Sequence, residues 1–148
     1  MKISTKGRYG LRCMVDLAAN SAHDHVSVKS IAERQKISEN YLEQVFSSLR
    51  KAGLVKSIKG SQGGYIVNGS LSEIRVSHIL KALEGSLAVV ETSMEELQNE
   101  NETEQVISKF VWDKINQEIN NVVESITLEM LVEDYIKLKQ KDVLMFYI

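Results

Sequence analysis

The chain has 148 residues, 43% of them hydrophobic, with a single cysteine and a formal net charge of −2. That length suits one domain, or one domain with an appended helical arm, and the apolar fraction suffices for a packed core but falls short of a membrane protein. No apolar run approaches the roughly 18 residues that span a bilayer, the opening residues lack a signal-peptide core, and one cysteine excludes an internal disulfide framework, so a cytoplasmic protein is expected.

A first helix is expected from Thr5 to Asn20, with Leu11, Met14, Val15 and Ala18 at helical spacing. Cys13 lies on it and reads as a small buried hydrophobe. Because Arg8 and Arg12 are near in sequence and can lower a thiol pKa, a redox-sensing role for Cys13 stays open. Ser21 to His25 reads as a polar loop, in which His23-Asp24-His25 resembles a metal pair only superficially. Ser27 caps a second helix, Val28 to Gln35, and Lys36-Ile37 makes a turn.

Ser38 then caps a third helix, Glu39 to Ala52, whose buried row is Leu42, Val45, Phe46 and Leu49, with Gly53 placed to end it. Two short strands follow, Leu54 to Lys59 and Tyr65 to Asn68, around a glycine-rich turn. This is the layout of a recognition helix and a wing. Glu39, Asn40, Glu43, Gln44 and Ser47 lie off the buried row and are the candidate base-reading residues. Asn and Gln bond bidentate to adenine, and Glu accepts from the amino group of cytosine. Glu43 would cost affinity beside phosphates, so its role would be to reject wrong bases. Ser38, Tyr41, Arg50 and Lys51, with Lys6 and Arg8 of the first helix, are candidate phosphate contacts; Arg50 and Lys51 also suit the helix dipole. In the wing the candidates are Lys59, Ser61, Gln62 and Gly63, with Lys59 chosen for the minor groove or its phosphates. The expected partner is double-stranded DNA.

A fourth helix is expected from Val76 to Glu84, ended by Gly85, with His78 structural. Residues 86–102 are acidic and without clear period, and read as a loop. Thr103 to Ile126 reads as one long amphipathic helix, with Ile107, Val111, Ile115, Ile119, Val122 and Ile126 as a stripe suited to pairing with a second copy and Trp112 as an anchor. Thr127 caps a last helix to about Lys139, and the tail Val143 to Ile148 is almost wholly apolar. The expected units are thus 1–85, a linker 86–102, and a helical arm 103–148. Charge divides along the same line. Residues 1–85 hold 13 Lys+Arg against 7 Asp+Glu, and residues 86–148 hold 5 against 13. A basic half suits phosphate and an acidic half is repelled by it. No nucleophile–base pair, P-loop or zinc spacing is present, so an enzyme is not expected.

The opening M-K-I-S-T-K-G-R-Y-G-L, the segment I-S-E-N-Y-L-E-Q-V-F-S-S-L-R-K-A-G-L-V-K-S-I-K-G, the turn Q-G-G-Y and the later I-L-K-A-L-E-G closely resemble the Rrf-type bacterial transcription regulators. The resemblance covers residues 1 to about 85 densely. It implies a mainly α fold with a small β-hairpin: a winged helix-turn-helix domain, a long dimerisation helix, and a homodimer on a pseudo-palindromic operator. It also implies that the Glu43-Gln44 pair reads bases. Many members hold an iron–sulfur cluster on three cysteines after the fourth helix. Here that stretch, Glu91 to Asn101, has neither cysteine nor histidine, so neither cluster nor other metal is expected. The ending M-F-Y-I and the cysteine-free linker resemble the branch that represses cysteine metabolism, which implies sulfur-amino-acid control with cysteine synthase (CysK) as a partner. A winged-helix module used mainly for protein contact, with weak DNA binding, is the other reading left open.

Overall fold

A serine precedes each of the first three helices, and each closes a cap. The computed structural model describes residues 2–147. Helix α1 spans Thr5–Asn20, α2 Val28–Gln35 and α3 Glu39–Lys51. Ser4 Oγ accepts from Gly7 N at 3.1 Å, Ser27 Oγ from Ser30 N at 3.1 Å and Ser38 Oγ from Tyr41 N at 3.3 Å. These bonds satisfy donors that a helix start leaves free. Gly53 ends α3 at φ 79°, a backbone conformation that a side chain opposes.

Strands β1 (Val55–Ile58) and β2 (Gly64–Val67) pair antiparallel, with Val55 opposite Val67 and Ser57 opposite Tyr65. Val26, which follows the expected polar loop, adds a third extended position. It exchanges two backbone hydrogen bonds of 2.9 Å with Tyr65. A Cβ on Gly64 would overlap the Val26 carbonyl, so this pairing requires glycine there.

Helix α4 (Val76–Glu84) lies against α1. A Cβ on Gly10 would overlap Leu83 Cδ1, so the bare Gly10 surface lets the two helices approach. Glu84 closes the contact from the far end, accepting from Ser4 N at 3.0 Å and from the Ser4 hydroxyl. The core is built from Met14, Leu17, Ile31, Leu42, Val45, Phe46, Leu49 and Ile79, closed by Leu128 from the C-terminal arm.

The segment expected as a loop contains a helix, α5 (Met94–Asn99), stabilised by a reciprocal cap between Ser93 and Glu96. Leu87, just before it, is buried beside Val76, Leu80 and Val123. The long arm helix is likewise interrupted. It runs as α6 (Glu102–Ile107), a π-helical stretch Ser108–Trp112, and α7 (Asp113–Ser125). A π stretch shifts the side-chain phase, so the expected stripe does not stay on one line. Ile119 and Ile126 pack with buried Val123 against α4, whereas Ile107, Val111 and Ile115 are each 39% exposed and Val122 is 56% exposed.

Helix α8 runs over Leu128–Phe146, beyond the expected stop near Lys139. It is capped by Thr127 and lies along α1. Of the apolar tail, Val143 to Tyr147 are exposed; Ile148 lies outside the described residues. Two extended bonds tie the arm to the first domain, Val76 N to Ile126 O at 2.9 Å and Leu128 N to Ile74 O at 2.7 Å. Arg75 Nη1 adds a bond to the Glu124 carbonyl at 2.6 Å.

Candidate nucleic-acid interface

Helical period divides α3 cleanly. Leu42, Val45, Phe46 and Leu49 are fully buried, while Glu39, Asn40, Glu43, Gln44, Arg50 and Lys51 are exposed. Ser47 and Tyr41 are half-buried. The polar groups proposed to read bases therefore share the outer surface of one capped helix, except that Ser47 sits partly withdrawn. Ser38 is exposed and its hydroxyl is occupied by the cap.

The first helix reaches the same surface. Lys6 Nζ donates to Ser48 Oγ of α3 at 2.9 Å, so this lysine is tied to α3 and half-buried. Arg8 stays on α1, where Nη2 donates to Thr5 Oγ1 at 3.3 Å. Tyr41 meets Tyr9 edge to face at 6.0 Å.

The wing joins α3 through an aromatic pair absent from the sequence-based site. The Tyr65 ring stacks on Phe46 with centroids 4.7 Å apart. Burial pushes the Tyr65 hydroxyl pKa up, the Glu43 carboxylate pushes the same way, and Arg50 opposes them. Glu43 and Arg50 thus share a field at the junction of helix and wing. On the wing, Lys59, Ser61 and Gln62 are exposed. Gly63 is half-buried, and a Cβ there would overlap the Ile58 carbonyl. Lys56 is exposed as well, on β1.

Two further polar features lie behind this surface. Asp16 is buried in α1 and accepts from Arg34 Nη2 at 2.7 Å and from Gln35 Nε2 at 2.8 Å, fastening α1 to α2. His25 touches Asp24 on one side and the wing carbonyl of Gln62 on the other. Neither contact has a local sequence signature, since the partners are 18 and 37 residues apart.

Cys13 is fully buried, and burial, with Asp16 adding to it, pushes its thiol up to about 12. Arg12 opposes this only weakly; its guanidinium donates to the Gln35 carbonyl at 2.7 Å and lies over the Tyr9 ring. The low-pKa environment that a sensing thiol needs, left open by the nearby arginines, is therefore not formed. His78 accepts from Arg75 N at 3.1 Å as part of the α4 start, a structural place as expected.

The sequence profile of the family described as "Rrf2: Iron-dependent Transcriptional regulator" matches residues 3–134. The HTH-type transcriptional regulator CymR of Bacillus subtilis is 43% identical over 131 residues, covering 88% of this chain and 89% of that protein. The solved structure of CymR, the global cysteine regulator of B. subtilis, superposes with a TM-score of 0.75 over 90% of this chain and 97% of that one, at 41% identity. The structure of T. potens IscR superposes with a TM-score of 0.71 over 91% of this chain and 88% of that one, at 45% identity.

Proposed function

The chain belongs to the Rrf2 family of transcriptional regulators, and from that membership we propose that it is a dimeric, sequence-specific DNA-binding repressor of cysteine and sulfur metabolism genes. One observation carries the reading of the site. Glu39, Asn40, Glu43 and Gln44 stand exposed on the capped first turns of α3, beside a glycine-bent wing and basic side chains. A helix of this kind fits the major groove, and its first turns present the amide and carboxylate groups that read base edges. Tyr41, Arg50 and Lys51 of that helix, its cap Ser38, and Lys6 and Arg8 of α1 would hold phosphates. Lys59, with Ser61, Gln62 and Gly63, would follow the adjacent backbone or minor groove.

The dimer reading is supported by the exposed apolar side chains of Ile107, Val111, Ile115 and Val122 on the arm, which the chain itself leaves uncovered. Pairing them about a two-fold axis would set two copies of α3 about 34 Å apart, one turn of DNA, which makes a pseudo-palindromic operator the natural target.

The family description includes iron. The donor chemistry here does not fit an iron–sulfur cluster: the only thiol, Cys13, is buried in α1, and Glu91–Asn101 supplies carboxylates and amides alone. No group of three His, Cys, Asp or Glu residues among the described ones is placed to hold a metal ion. We therefore propose regulation without a resident cluster. The likeness to CymR supports the sulfur assignment, with cysteine synthase (CysK) as the candidate partner that carries the signal.

A salt-titrated binding assay with a selected duplex and its scrambled counterpart tests the central reading. Specific binding with a steep salt dependence is expected; steep salt dependence without sequence preference would overturn it. Glu43→Ala should relax specificity by about 1–3 kcal/mol at the bases it faces, whereas Lys51→Ala should weaken all duplexes alike. Equal losses on every duplex for both variants would refute the role given to Glu43. Co-elution of the chain with purified CysK tests the partner.

A further inference from the structure

We propose that Arg75 is a positioning residue for operator recognition: by capping the last turn of α7 it fixes the angle between the arm and the DNA-reading domain, and so sets which half-site spacing the dimer accepts. This rests on the reading of the chain as a dimeric DNA-binding regulator.

The end of α7 is completed from outside. The helix has no basic residue in its last turn, and Glu124 places an acid there. The free carbonyls at a helix C-terminus form the negative end of its dipole, where a carboxylate is unfavourable and a cation favourable. Both cations come from the first domain. Arg75, at the start of α4, donates from Nη1 to the Glu124 carbonyl at 2.6 Å. Lys81, on α4 itself, brings Nζ within 3.5 Å of Glu124 Oε1. The two contacts are unequal. The Arg75 bond is short and partly buried, whereas the Lys81 and Glu124 side chains are each about half exposed, so water screens that pair.

The Arg75 bond lies beside the joint of arm and domain. Arg75 and Thr127 form an isolated antiparallel bridge, flanked by the bonds from Val76 N to Ile126 O and from Leu128 N to Ile74 O. These backbone bonds hold the chain just past the end of α7, which leaves the helix free to swing about that point. Val123, seated on Val76, Leu80 and Leu87, resists separation, but apolar contact is non-directional. The guanidinium grips the helix itself through a planar, directional donor, and so opposes rotation. Because α4 packs on α1 and α3 as well as α7, a turn of α7 against α4 is a turn of the arm against the recognition helix. In a two-fold dimer that change is applied twice. One added base pair moves a half-site by about 3.4 Å and rotates it by about 35°, so a fixed angle selects a spacing.

Two measurements test this. In the full-length protein without DNA, 1H–15N residual dipolar couplings from α3 and α7 should fit one alignment frame. In Arg75→Ala the α7 couplings should depart from that frame or shrink, and Arg75→Lys, which keeps a cation at the helix end, should lie nearer wild type. One frame shared by α3 and α7 in Arg75→Ala overturns the proposal, as does a lysine variant as loose as alanine. The second measurement uses a duplex selected in vitro from a random-sequence pool, versions with one base pair added or removed between its half-sites, and a single half-site. Arg75→Ala should narrow the preference for the selected spacing roughly 10-fold, the worth of a hydrogen bond to a charged group, while half-site binding stays within about 2-fold of wild type. An unchanged preference, or a loss on the half-site as large as on the full duplex, overturns the positioning role. Failure of the wild type to prefer the selected duplex over a scrambled one would instead strike the DNA reading, and leaves the couplings to decide whether Arg75 holds the arm.

Discussion

Asp16 on α1 and Arg34 on α2 meet at 2.7 Å, with the carboxylate fully buried and the guanidinium 34% exposed. This asymmetry decides what each substitution costs. Removing Arg34 strands a buried carboxylate with Gln35 and Asn20 as its remaining side-chain donors. Removing the Asp16 charge leaves an arginine that can turn to water. Arg34→Ala should therefore destabilise by about 3 kcal/mol, near the low end for a broken buried pair, and Asp16→Asn by about half as much. Urea unfolding of both variants checks the order; a larger loss for Asp16→Asn would contradict it.

Cys13 should be nearly inert in the folded protein. Burial raises its thiol from 9.0 to about 12. At pH 8 the thiolate fraction then falls from roughly a tenth to roughly one part in ten thousand, so alkylation should slow about a thousandfold relative to the unfolded chain. The linkage has a definite sign. The folded state holds this proton more tightly, so the contribution to stability is complete below pH 9 and is lost as pH rises towards 12. Iodoacetamide labelling in buffer and in urea, followed by mass spectrometry, reads the difference; equal rates would restore the thiol to consideration as a sensor.

The features that sequence reasoning found and those it missed differ in range. The start of α2, both ends of α3 and the end of α4 follow from Ser27, Ser38, Gly53 and Gly85 because a cap is decided by a few adjacent residues. The outer face of α3 follows from its period alone. Asp16–Arg34, Val26–Tyr65 and His25–Gln62 depend on chain segments that meet only after folding, and no spacing announces them. The π stretch at Ser108–Trp112 is a slip of hydrogen bonding inside an otherwise helical pattern, so the sequence reads through it. Helix α5 was legible in principle, since Ser93 and Glu96 form a capping box, but the acidic composition around it masked the signal.

Gly64 is the residue on which the wing's seat depends. Its missing side chain makes room for the Val26 carbonyl and the Ser27 amide. Gly64→Ala must push backbone against backbone, which cannot be relieved by rotating a side chain, and should cost about 1–3 kcal/mol. Because the displacement falls on the wing, binding to the selected duplex should weaken more than stability alone explains. Thermal unfolding and binding measured on one preparation separate the two effects.

The arm offers a paired test of the dimer. Ile115 is 39% exposed and Val123 is 9% exposed, although both belong to the apolar face of the same helix. Val123 packs on Val76, Leu80 and Leu87 of its own chain. A charge at Val123 therefore attacks the fold, and a charge at Ile115 attacks only what covers the arm from outside. Ile115→Glu should leave the helical content and unfolding midpoint of the protomer near wild type. It should raise the dimer dissociation constant roughly 100-fold or more, since a two-fold interface loses the side chain twice. Val123→Glu should lower the midpoint itself. Sedimentation velocity across a concentration series, beside circular dichroism, distinguishes the outcomes. An Ile115→Glu protein with unchanged association would remove this face from the interface, and with it the expected spacing of the two α3 helices.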